Sequence, residues 1–321
     1  GTHLHSALKK EGHTVHVVDT YSSRDISPSQ FKILLQDPTY SDCNIKNLED
    51  VKRLNLPKYD IVYLFASLMR SGDCMDSPEI ACDTNITGVS NVLTCLRGSN
   101  TRIVFSSTVH VYCDPDMLGS PVDETTTINN NTSIHLYPAS KLVGETLIRS
   151  HNMLYGTNYT IFRFGIVYGP QGHKDMVLHT FISKAKRGET IIIQGDGSAT
   201  RNFVYVDDIV RGNISVINNL EKSKNQTINL CGDSNISIKE LANLISDKIK
   251  SCKIENIAAR TGDHIEPLIS NKKALYASKE NIKEVEKIKA ELNKKDQEKK
   301  KISKLIYESL KNKTYDVKKL T

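Results

Sequence analysis

The sequence lacks a long apolar run and any closely paired cysteines. No stretch approaches about eighteen consecutive apolar residues, so no membrane-spanning helix is predicted. The seven cysteines are scattered and none stands in a Cys-x-x-Cys pair, which argues against a zinc site or a disulfide framework. The first five residues show neither the cationic start nor the apolar core of a secretory signal. Together these absences predict a soluble, cytoplasmic protein with reduced thiols and no bound metal.

Arginine is absent from the last fifty or so residues, although this segment is the most basic part of the chain. From Asn271 onward there are sixteen lysines and eight acidic residues, whereas the formal net charge of the whole chain is only +6. Apolar residues keep helical spacing within 279–313, with glutamates between the lysines. One interpretation is a basic nucleic-acid site. The interleaved acids and the scarcity of aromatic residues favour solvated amphipathic helices, so no nucleic-acid partner is predicted.

Strand-like and helical segments alternate through the first half of the chain. Short apolar runs occupy 13–19, 60–65, 102–106 and 158–163. Helical patterns lie between them, at 2–11, 79–97 and 137–155. Strand, helix and strand at this spacing indicate parallel βαβ units. The pattern predicts an α/β fold built on a doubly wound, Rossmann-like parallel sheet.

The pattern from residue 166 onward is looser and richer in turns. Helices are predicted at 177–187 and 238–250, and strands at 191–194, 203–206 and 228–230. We interpret this part as a smaller α/β domain for substrate at the carboxyl edge of the sheet. The predicted organisation is a dinucleotide-binding domain at 1–165, a substrate domain at 166–275 and a lysine-rich helical tail at 276–321.

The first nineteen residues follow the layout of a dinucleotide-binding unit after its third glycine. Gly1 opens onto a helical run, Gly12 marks a turn, and a strand then ends at Asp19. We expect the first strand and two further glycines to precede Gly1, and the sequence as given to bind a dinucleotide poorly or be inactive, because the phosphate-binding turn is incomplete. The alternative is a natural start with an ordinary helix. Asp19 could cap a helix or a turn, but its position at the strand end favours binding of ribose hydroxyls, and its charge favours NAD over NADP.

Tyr137 and Lys141 stand four residues apart at the start of a predicted helix, and therefore share one helix face. An ammonium beside a phenol lowers the pKa of the phenol. The tyrosine can then take a proton from a hydroxyl while hydride leaves the same carbon. The preceding strand ends in Ser106, Ser107 and Thr108, whose hydroxyls are expected at the ligand edge of the sheet. These hydroxyls could also simply cap the strand end.

Further motifs follow in a fixed order. They are Arg163-Phe-Gly-Ile-Val-Tyr-Gly-Pro170, then Gly195-Asp-Gly-Ser-Ala-Thr-Arg201 running on to Asp208, and Arg260-Thr-Gly-Asp263. With the earlier motifs, this order resembles the NAD-dependent epimerase/dehydratase family over roughly residues 1–275. The resemblance implies NAD as cofactor, a nucleotide sugar as substrate with a UDP sugar favoured, and a homodimer formed through the helices at 79–97 and 137–155.

The resemblance also implies roles for individual residues. The catalytic group would be Thr108, Tyr137 and Lys141. The cofactor would contact Gly1, Asp19, Asp42, Cys43, Phe65, Ala66, Ser67, Asn85, Ser106, Tyr137, Lys141 and Phe164. The substrate would contact Thr108, Arg201, Arg260 and Asp263, the arginines holding its diphosphate because guanidinium groups match phosphate geometry.

The sequence departs from several members of that family. Val109 and His110 stand where the dehydratases carry an Asp-Glu pair, and His110 stands where the decarboxylating members carry a glutamate. Ile166 and Met69 differ from residues often found in 4-epimerases. His110 could carry a proton or serve only as an oriented structural histidine.

These observations predict a nucleotide-sugar 4-epimerase that oxidises and re-reduces C4 through NAD. Two alternatives stay open at this point. One is another reaction of the same family: dehydration, decarboxylation or reduction of a keto sugar. The other is a non-catalytic NAD-binding regulator on the same fold.

Overall fold

A computed structural model gives the structure of the chain at residues 1–20, 37–113, 121–129, 135–249, 252–259 and 266–277. The chain divides into two compact units. The first is formed by Gly1–Val167, Asn202–Ser234 and Glu266–Ala274. The described part of the second lies in 168–201, 235–249, 252–259 and 275–277. The units are interleaved along the chain, and the roles predicted for the domains at 1–165, 166–275 and 276–321 stay predictions.

The helices and strands of the described residues follow in chain order. The helices are α1 (Thr2–Lys10), α2 (Leu48–Arg53), α3 (Ser71–Asp76), α4 (Pro78–Cys82), α5 (Gly88–Cys95), α6 (Leu136–Tyr155), α7 (Val177–Arg187), α8 (Val206–Asn218), α9 (Ile238–Lys248) and α10 (Lys272–Ala277). The strands are β1 (Val17–Asp19), β2 (Tyr40–Asp42), β3 (Ile61–Leu64), β4 (Arg102–Thr108), β5 (Tyr159–Phe164), β6 (Ile166–Tyr168), β7 (Ile191–Gln194), β8 (Thr200–Tyr205), β9 (Gln226–Leu230), β10 (Asn235–Ser237) and β11 (Ile254–Ile257).

The first unit is built on a four-stranded parallel sheet. Its strand order is β3-β4-β5-β9, and every neighbouring pair is parallel. β9 returns to the sheet from beyond residue 201, which explains why this unit is not one continuous segment. Strands β1 and β2 form a separate parallel pair in the same unit. The predicted α/β class with a parallel sheet is confirmed.

Both faces of the four-stranded sheet are covered by helices, as the continuous apolar run of β4 predicts. Ile103 and Phe105 point to one face, where they pack with Leu93 of α5 and Ile148 of α6. The residue between them, Val104, packs on the opposite face in a cluster with side chains of α8. Alternation along a strand therefore places the two clusters on opposite sides of the sheet.

Helix α6 lies close against β4. Its buried face contains Ser140, Lys141, Gly144, Glu145 and Ile148, which recur at helical spacing. A Cβ atom at Gly144 would stand 2.7 Å from the ring of Phe105, so glycine permits this close approach of helix and strand. The helix ends at Gly156, whose φ of 73° is the left-handed conformation that favours glycine at this position.

The helix predicted at 79–97 is interrupted. Helix α4 passes into a π turn at Asp83–Thr87 and then into α5. A π turn places one extra residue in a helix and is often found beside functional sites. Here it contains the buried Asn85.

The second unit contains helices α7 and α9 and the parallel strand pair β7–β11. Helix α9 begins with a reciprocal cap, in which the hydroxyl of Ser237 accepts from the backbone of Glu240 and the Glu240 carboxylate accepts in return. Within the part of the chain that the structure describes, no helix has the length and apolar character needed to cross a bilayer.

Candidate active site

The carboxyl ends of β3, β4 and β5 lie along one edge of the first unit's sheet, because all three strands are parallel. β4 and β5 end level with each other, with Thr108 opposite Phe164. The ring of Phe65, directly after β3, meets the ring of Phe164 edge-on at a centroid distance of 6.0 Å. The sequence-predicted residues Phe65, Thr108 and Phe164 are therefore brought to one edge.

Thr108, Tyr137 and Lys141 come together at this edge. The Thr108 and Tyr137 hydroxyls are joined by a hydrogen bond. The Nζ of Lys141 lies 4.9 Å from the ring centroid of Phe105 and 6.0 Å from that of Tyr137. The backbone N–H of His110 donates to the Thr108 hydroxyl at 3.2 Å, which holds the hydroxyl at the end of β4. Their catalytic roles stay a prediction, which the closeness of the two hydroxyls supports.

The ionisation of this pair differs from the sequence expectation. Burial raises the pKa of Tyr137 above its ordinary value, and the hydrogen bond with Thr108 offsets only part of the effect. Burial also lowers the pKa of Lys141 to about 7. A lysine that readily loses its proton at neutral pH is a weak source of positive charge. In the chain alone, therefore, Lys141 does not give Tyr137 the lowered pKa that the helical spacing suggested.

Two buried polar groups at this edge indicate that it is shaped for a ligand. Only 2% of Lys141 is exposed, and none of the contacts that the described residues make with its ammonium involves a carboxylate. The hydroxyl of Ser67, in the loop after β3, is buried and has no hydrogen-bond partner among the described residues. Because buried polar groups are usually paired, both groups fit a ligand that offers hydroxyl or amide groups, such as a dinucleotide cofactor.

Asn85 connects the loop after β3 to helix α6. Its carboxamide accepts from the backbone N–H of Leu68 at 2.8 Å and donates to the Leu68 carbonyl at 2.9 Å. It also donates to the Ser140 hydroxyl at 2.9 Å. The side chain is 1% exposed and engaged within the protein. Its geometry supports a role in shaping the predicted cofactor site, and direct cofactor contact stays a prediction.

Asp19, Asp42 and Cys43 meet at the end of the β1–β2 pair. Asp19 lies opposite Asp42 in the register, and the N–H of Cys43 donates to the Asp19 carbonyl at 3.0 Å. The Asp19 carboxylate also accepts from the N–H of the adjacent Thr20 at 2.7 Å. Burial raises the pKa of the Cys43 thiol to about 11, so this cysteine stays a neutral thiol.

The remaining predicted cofactor residues have less distinctive positions. Gly1 is the residue before α1. The Ser106 hydroxyl donates to the Leu64 carbonyl at 3.3 Å, and is thus directed toward β3. Ala66 is exposed in the loop after β3.

Of the predicted substrate residues, Thr108 lies in the first unit, and the other three lie outside it or outside the described residues. Arg201 belongs to the second unit, where its guanidinium donates to the carbonyl of Thr200 at 2.7 Å. Arg260 and Asp263 lie outside the described residues. The grouping of these three side chains around a nucleotide diphosphate stays a prediction.

His110 has an acidic partner that the sequence did not reveal. Its Nε2 lies 2.9 Å from a carboxylate oxygen of Glu266, and the Glu266 side chain is fully buried. The other Glu266 oxygen accepts from the backbone N–H of Asn202 at 2.8 Å. The two residues are 156 positions apart, so no local pattern could have paired them. This contact supports an oriented histidine beside Thr108 and leaves its chemical role open.

The chain is similar to known proteins in both sequence and structure. The sequence profile of the NAD dependent epimerase/dehydratase family matches residues 1–231. A protein of Methanocaldococcus jannaschii, whose name gives UDP-glucose 4-epimerase as a provisional activity, is 30% identical over 78% of this chain and 79% of its own length. The dTDP-4-dehydro-6-deoxy-D-allose reductase of Streptomyces bikiniensis is 36% identical over 51% of each chain. The crystal structure of UDP-glucose 4-epimerase from Thermotoga maritima with UDP-glucose has a TM-score of 0.77 and 25% identity, and the match covers 86% of this chain and 88% of that one.

These likenesses confirm the fold class and the resemblance drawn from the motifs. The family profile spans the strand end that carries Thr108 and the helix that carries Tyr137 and Lys141. NAD is the cofactor of the family, which agrees with the buried, unmatched polar groups at the edge of the sheet. The chain belongs to the NAD-dependent epimerase/dehydratase family.

Proposed function

We propose that this protein is an NAD-dependent nucleotide-sugar 4-epimerase. The observation that carries the proposal is the hydrogen bond between Thr108 and Tyr137, with Lys141 beside it. A tyrosine and a threonine hydroxyl, linked at the ligand edge of a parallel sheet, suit removal of a proton from a sugar hydroxyl. The name of the M. jannaschii relative and the UDP-glucose-bound T. maritima structure support the choice of a UDP sugar.

The proposed reaction begins at the O4 hydroxyl of the sugar. Tyr137 takes the O4 proton, and Thr108 holds the same oxygen. NAD, when bound, would supply the reversible hydride acceptor that oxidation at C4 requires. After the 4-keto sugar has turned over, Tyr137 gives the proton back to O4 and the opposite epimer is formed. Lys141 would orient the cofactor ribose, and its charge would be favoured once ribose hydroxyls replace the apolar surroundings.

The cofactor and substrate assignments follow the site. Ser67 and Lys141 offer polar atoms for NAD, and Asp19 is placed at a strand end where a carboxylate would repel a 2′-phosphate. Arg201, Arg260 and Asp263 are proposed to hold the nucleotide diphosphate and its ribose, since guanidinium groups match phosphate oxygens.

A second candidate is another reaction of the same family. The S. bikiniensis relative is named a reductase, and the His110–Glu266 contact provides a titratable group near Thr108 that could move a proton at a neighbouring carbon. Dehydration is less well supported, because Val109 and His110 replace the carboxylate pair that dehydratases carry. We also propose that the site is catalytic rather than a regulator's NAD pocket, since a regulator has no need of Tyr137 and Thr108 in contact.

The test is incubation of the full-length protein with NAD and a panel of UDP, GDP and dTDP sugars, with products identified by NMR. A 4-epimer is the expected product. Tyr137→Phe should lower kcat by about 100-fold or more, because a positioned acid/base contributes that much. The matched control is Tyr155→Phe at the far end of the same helix, which should keep full turnover. A dehydrated, decarboxylated or reduced sugar would replace the proposal with the second candidate, and unchanged turnover in Tyr137→Phe would exclude the mechanism.

We further propose that the protein is a homodimer. Apolar side chains of α4 and α6 remain exposed in the single chain, including Ile80, Val143 and Leu154. Val143 and Leu154 are three helical turns apart on one face, so they form a stripe suited to a second copy. Sedimentation should give twice the 35.9 kDa chain mass. Val143→Asp should yield monomers, whereas Leu244→Asp, at an exposed position on α9, should not; a wild-type monomer at micromolar concentration would refute the proposal.

A further inference from the structure

Helix α6 carries two more charged residues in line with the catalytic pair. Tyr137, Lys141, Glu145 and Arg149 are each four residues apart, so they lie on one face of the helix. Lys141 and Glu145 are both buried in that face. A charged residue on the buried face of a helix needs partners in the sheet beneath it.

Glu145 finds these partners in β4, in β5 and one turn further along α6 itself. Its carboxylate accepts from the Ser107 hydroxyl at 2.6 Å, from Arg163 Nε at 2.9 Å and Nη2 at 2.7 Å, and from Arg149 at 2.6 Å. Burial alone would raise the pKa of Glu145, but the hydrogen bonds and charge of Arg163 outweigh it and hold the pKa below its ordinary value. The two-point contact of Arg163 fixes orientation as well as distance.

The other side of Arg163 is also held. One Nη atom donates to the Tyr112 hydroxyl at 2.5 Å, and that hydroxyl donates to the Asn229 carboxamide at 3.1 Å. Tyr112 belongs to the short helical turn that follows Thr108. A buried network therefore joins the catalytic helix to the strand that ends in Thr108 and to the turn directly after it.

The contacts fall immediately beside the proposed catalytic residues. Ser107 is the neighbour of Thr108 on β4, and Glu145 is one helical turn beyond Lys141. Sliding or rotation of α6 relative to the sheet would stretch the contacts of Glu145 with Ser107 and Arg163. The same movement would separate the Tyr137 and Thr108 hydroxyls, because Tyr137 is on the helix of Glu145 and Thr108 is on the strand of Ser107.

We propose that Glu145 and Arg163 are positioning residues, which set the distance between the Tyr137 and Thr108 hydroxyls through a buried ionic contact. The inference rests on the proposed function, since it concerns the alignment of that reaction's proton carrier. Neither residue touches the reacting atoms. Their effect is exerted on how often Tyr137 and Thr108 stand in the reactive arrangement.

Three variants test the proposal, and each removes a different part of the network. Ser107→Ala removes one hydrogen bond and no charge, so it should fold. Glu145→Gln leaves Arg163 charged and buried, which is strongly destabilising. The double variant Glu145→Gln/Arg163→Met removes both charges and should recover much of the melting temperature, because replacing a buried pair with neutral groups is often close to neutral.

The control is a second buried arginine on the same sheet. Arg102 lies at the opposite end of β4, where its guanidinium donates to Thr160, Ser223 and the Leu220 carbonyl. Arg102→Met should lower the melting temperature but leave kcat within about twofold, since it is remote from the site. This variant measures how far general loosening alone reduces turnover.

We expect kcat to fall about tenfold in Ser107→Ala and about 100-fold in the double variant, with KM changed less than about threefold, because small misplacements of reacting groups cost that much. Recovery of both melting temperature and kcat in the double variant would show a purely structural pair and overturn the proposal. An equal loss of kcat in Arg102→Met would overturn it too.

Hydrogen exchange separates this inference from the proposed function. If the wild type converts no sugar in the panel, the proposed function fails. Amide exchange of residues 136–145, measured by mass spectrometry in wild type and Ser107→Ala, then decides the structural claim. Faster exchange in the first turns of α6 supports positioning by the network, and unchanged exchange refutes it.

Discussion

Replacement of Lys141 by methionine should raise the free energy of unfolding of the cofactor-free protein, because the buried lysine lowers it. The side chain is 2% exposed, and burial lowers its pKa to about 7. A charge held in this environment without a carboxylate raises the free energy of the folded state. Methionine has a similar length and suits a contact with the Phe105 ring. We therefore expect Lys141→Met to be inactive but stabilised in the absence of cofactor.

The size of the gain depends on pH in a definite direction. The unfolded lysine titrates near 10.5 and the folded one near 7, so between these values the unfolded state holds more protons. Stability of the wild type thus rises with pH across this window, and the penalty is complete below pH 7. The pKa difference corresponds to at most about 5 kcal/mol at pH 6 and about 2 kcal/mol at pH 9. Water penetration weakens such penalties, so we expect about half of each value.

The assay is urea unfolding at pH 6 and pH 9 without NAD, monitored by circular dichroism. Lys141→Met should exceed the wild type in unfolding free energy by more at pH 6 than at pH 9. The control Lys10→Met, at an exposed position on α1, should show no such dependence. An equal difference in unfolding free energy at both pH values would refute the reasoning. Such a difference would arise from packing of the methionine side chain, which does not depend on pH.

Three other predictions follow from single side chains. Gly144→Ala should cost about 1–3 kcal/mol in thermal unfolding because its Cβ would meet the Phe105 ring, whereas Gly72→Ala, with nothing within 4 Å, should cost nothing. Asp19→Ala should raise the NAD dissociation constant about tenfold in calorimetry while NADP binding holds or improves; unchanged NAD affinity would remove Asp19 from the cofactor site. His110→Gln should keep kcat for 4-epimerisation within about fivefold, and a loss of about 100-fold would favour chemistry at a second carbon.

Regular elements with strong apolar patterns could be predicted from the sequence. Helix α7 and strand β7 have the predicted bounds, and β4 and α6 differ by only a few residues. Strand β2 was not predicted because Tyr40–Asp42 is short and polar. Val206 looked like the end of a β-branched strand, but it begins α8, where Asp207 and Asp208 occupy the first turn and favour a helix start.

The candidate site could be predicted only where it depends on residues that are close together in the sequence. Thr108, Tyr137 and Lys141 follow from a strand end and a four-residue spacing, which the chain itself displays. The Glu266 contact of His110 depends on tertiary folding and has no local signal. The pKa of Tyr137 depends on burial, which spacing does not reveal. The spacing from Lys141 to Glu145 was available in the sequence, but its partner Arg163 becomes evident only once β5 lies beside β4.

The π turn at Asp83–Thr87 gives this helix a built-in tolerance to changes of length. Because the turn holds one surplus residue, deletion of Thr84 would let α4 and α5 join as one regular helix. A π turn holds its surplus residue within a single helical turn, so α4 would keep nearly its present orientation relative to α5 after the deletion. Ile80 would therefore stay on the exposed side of α4. A one-residue deletion here would thus shorten the chain while leaving both the sheet and the outer face of α4 unchanged.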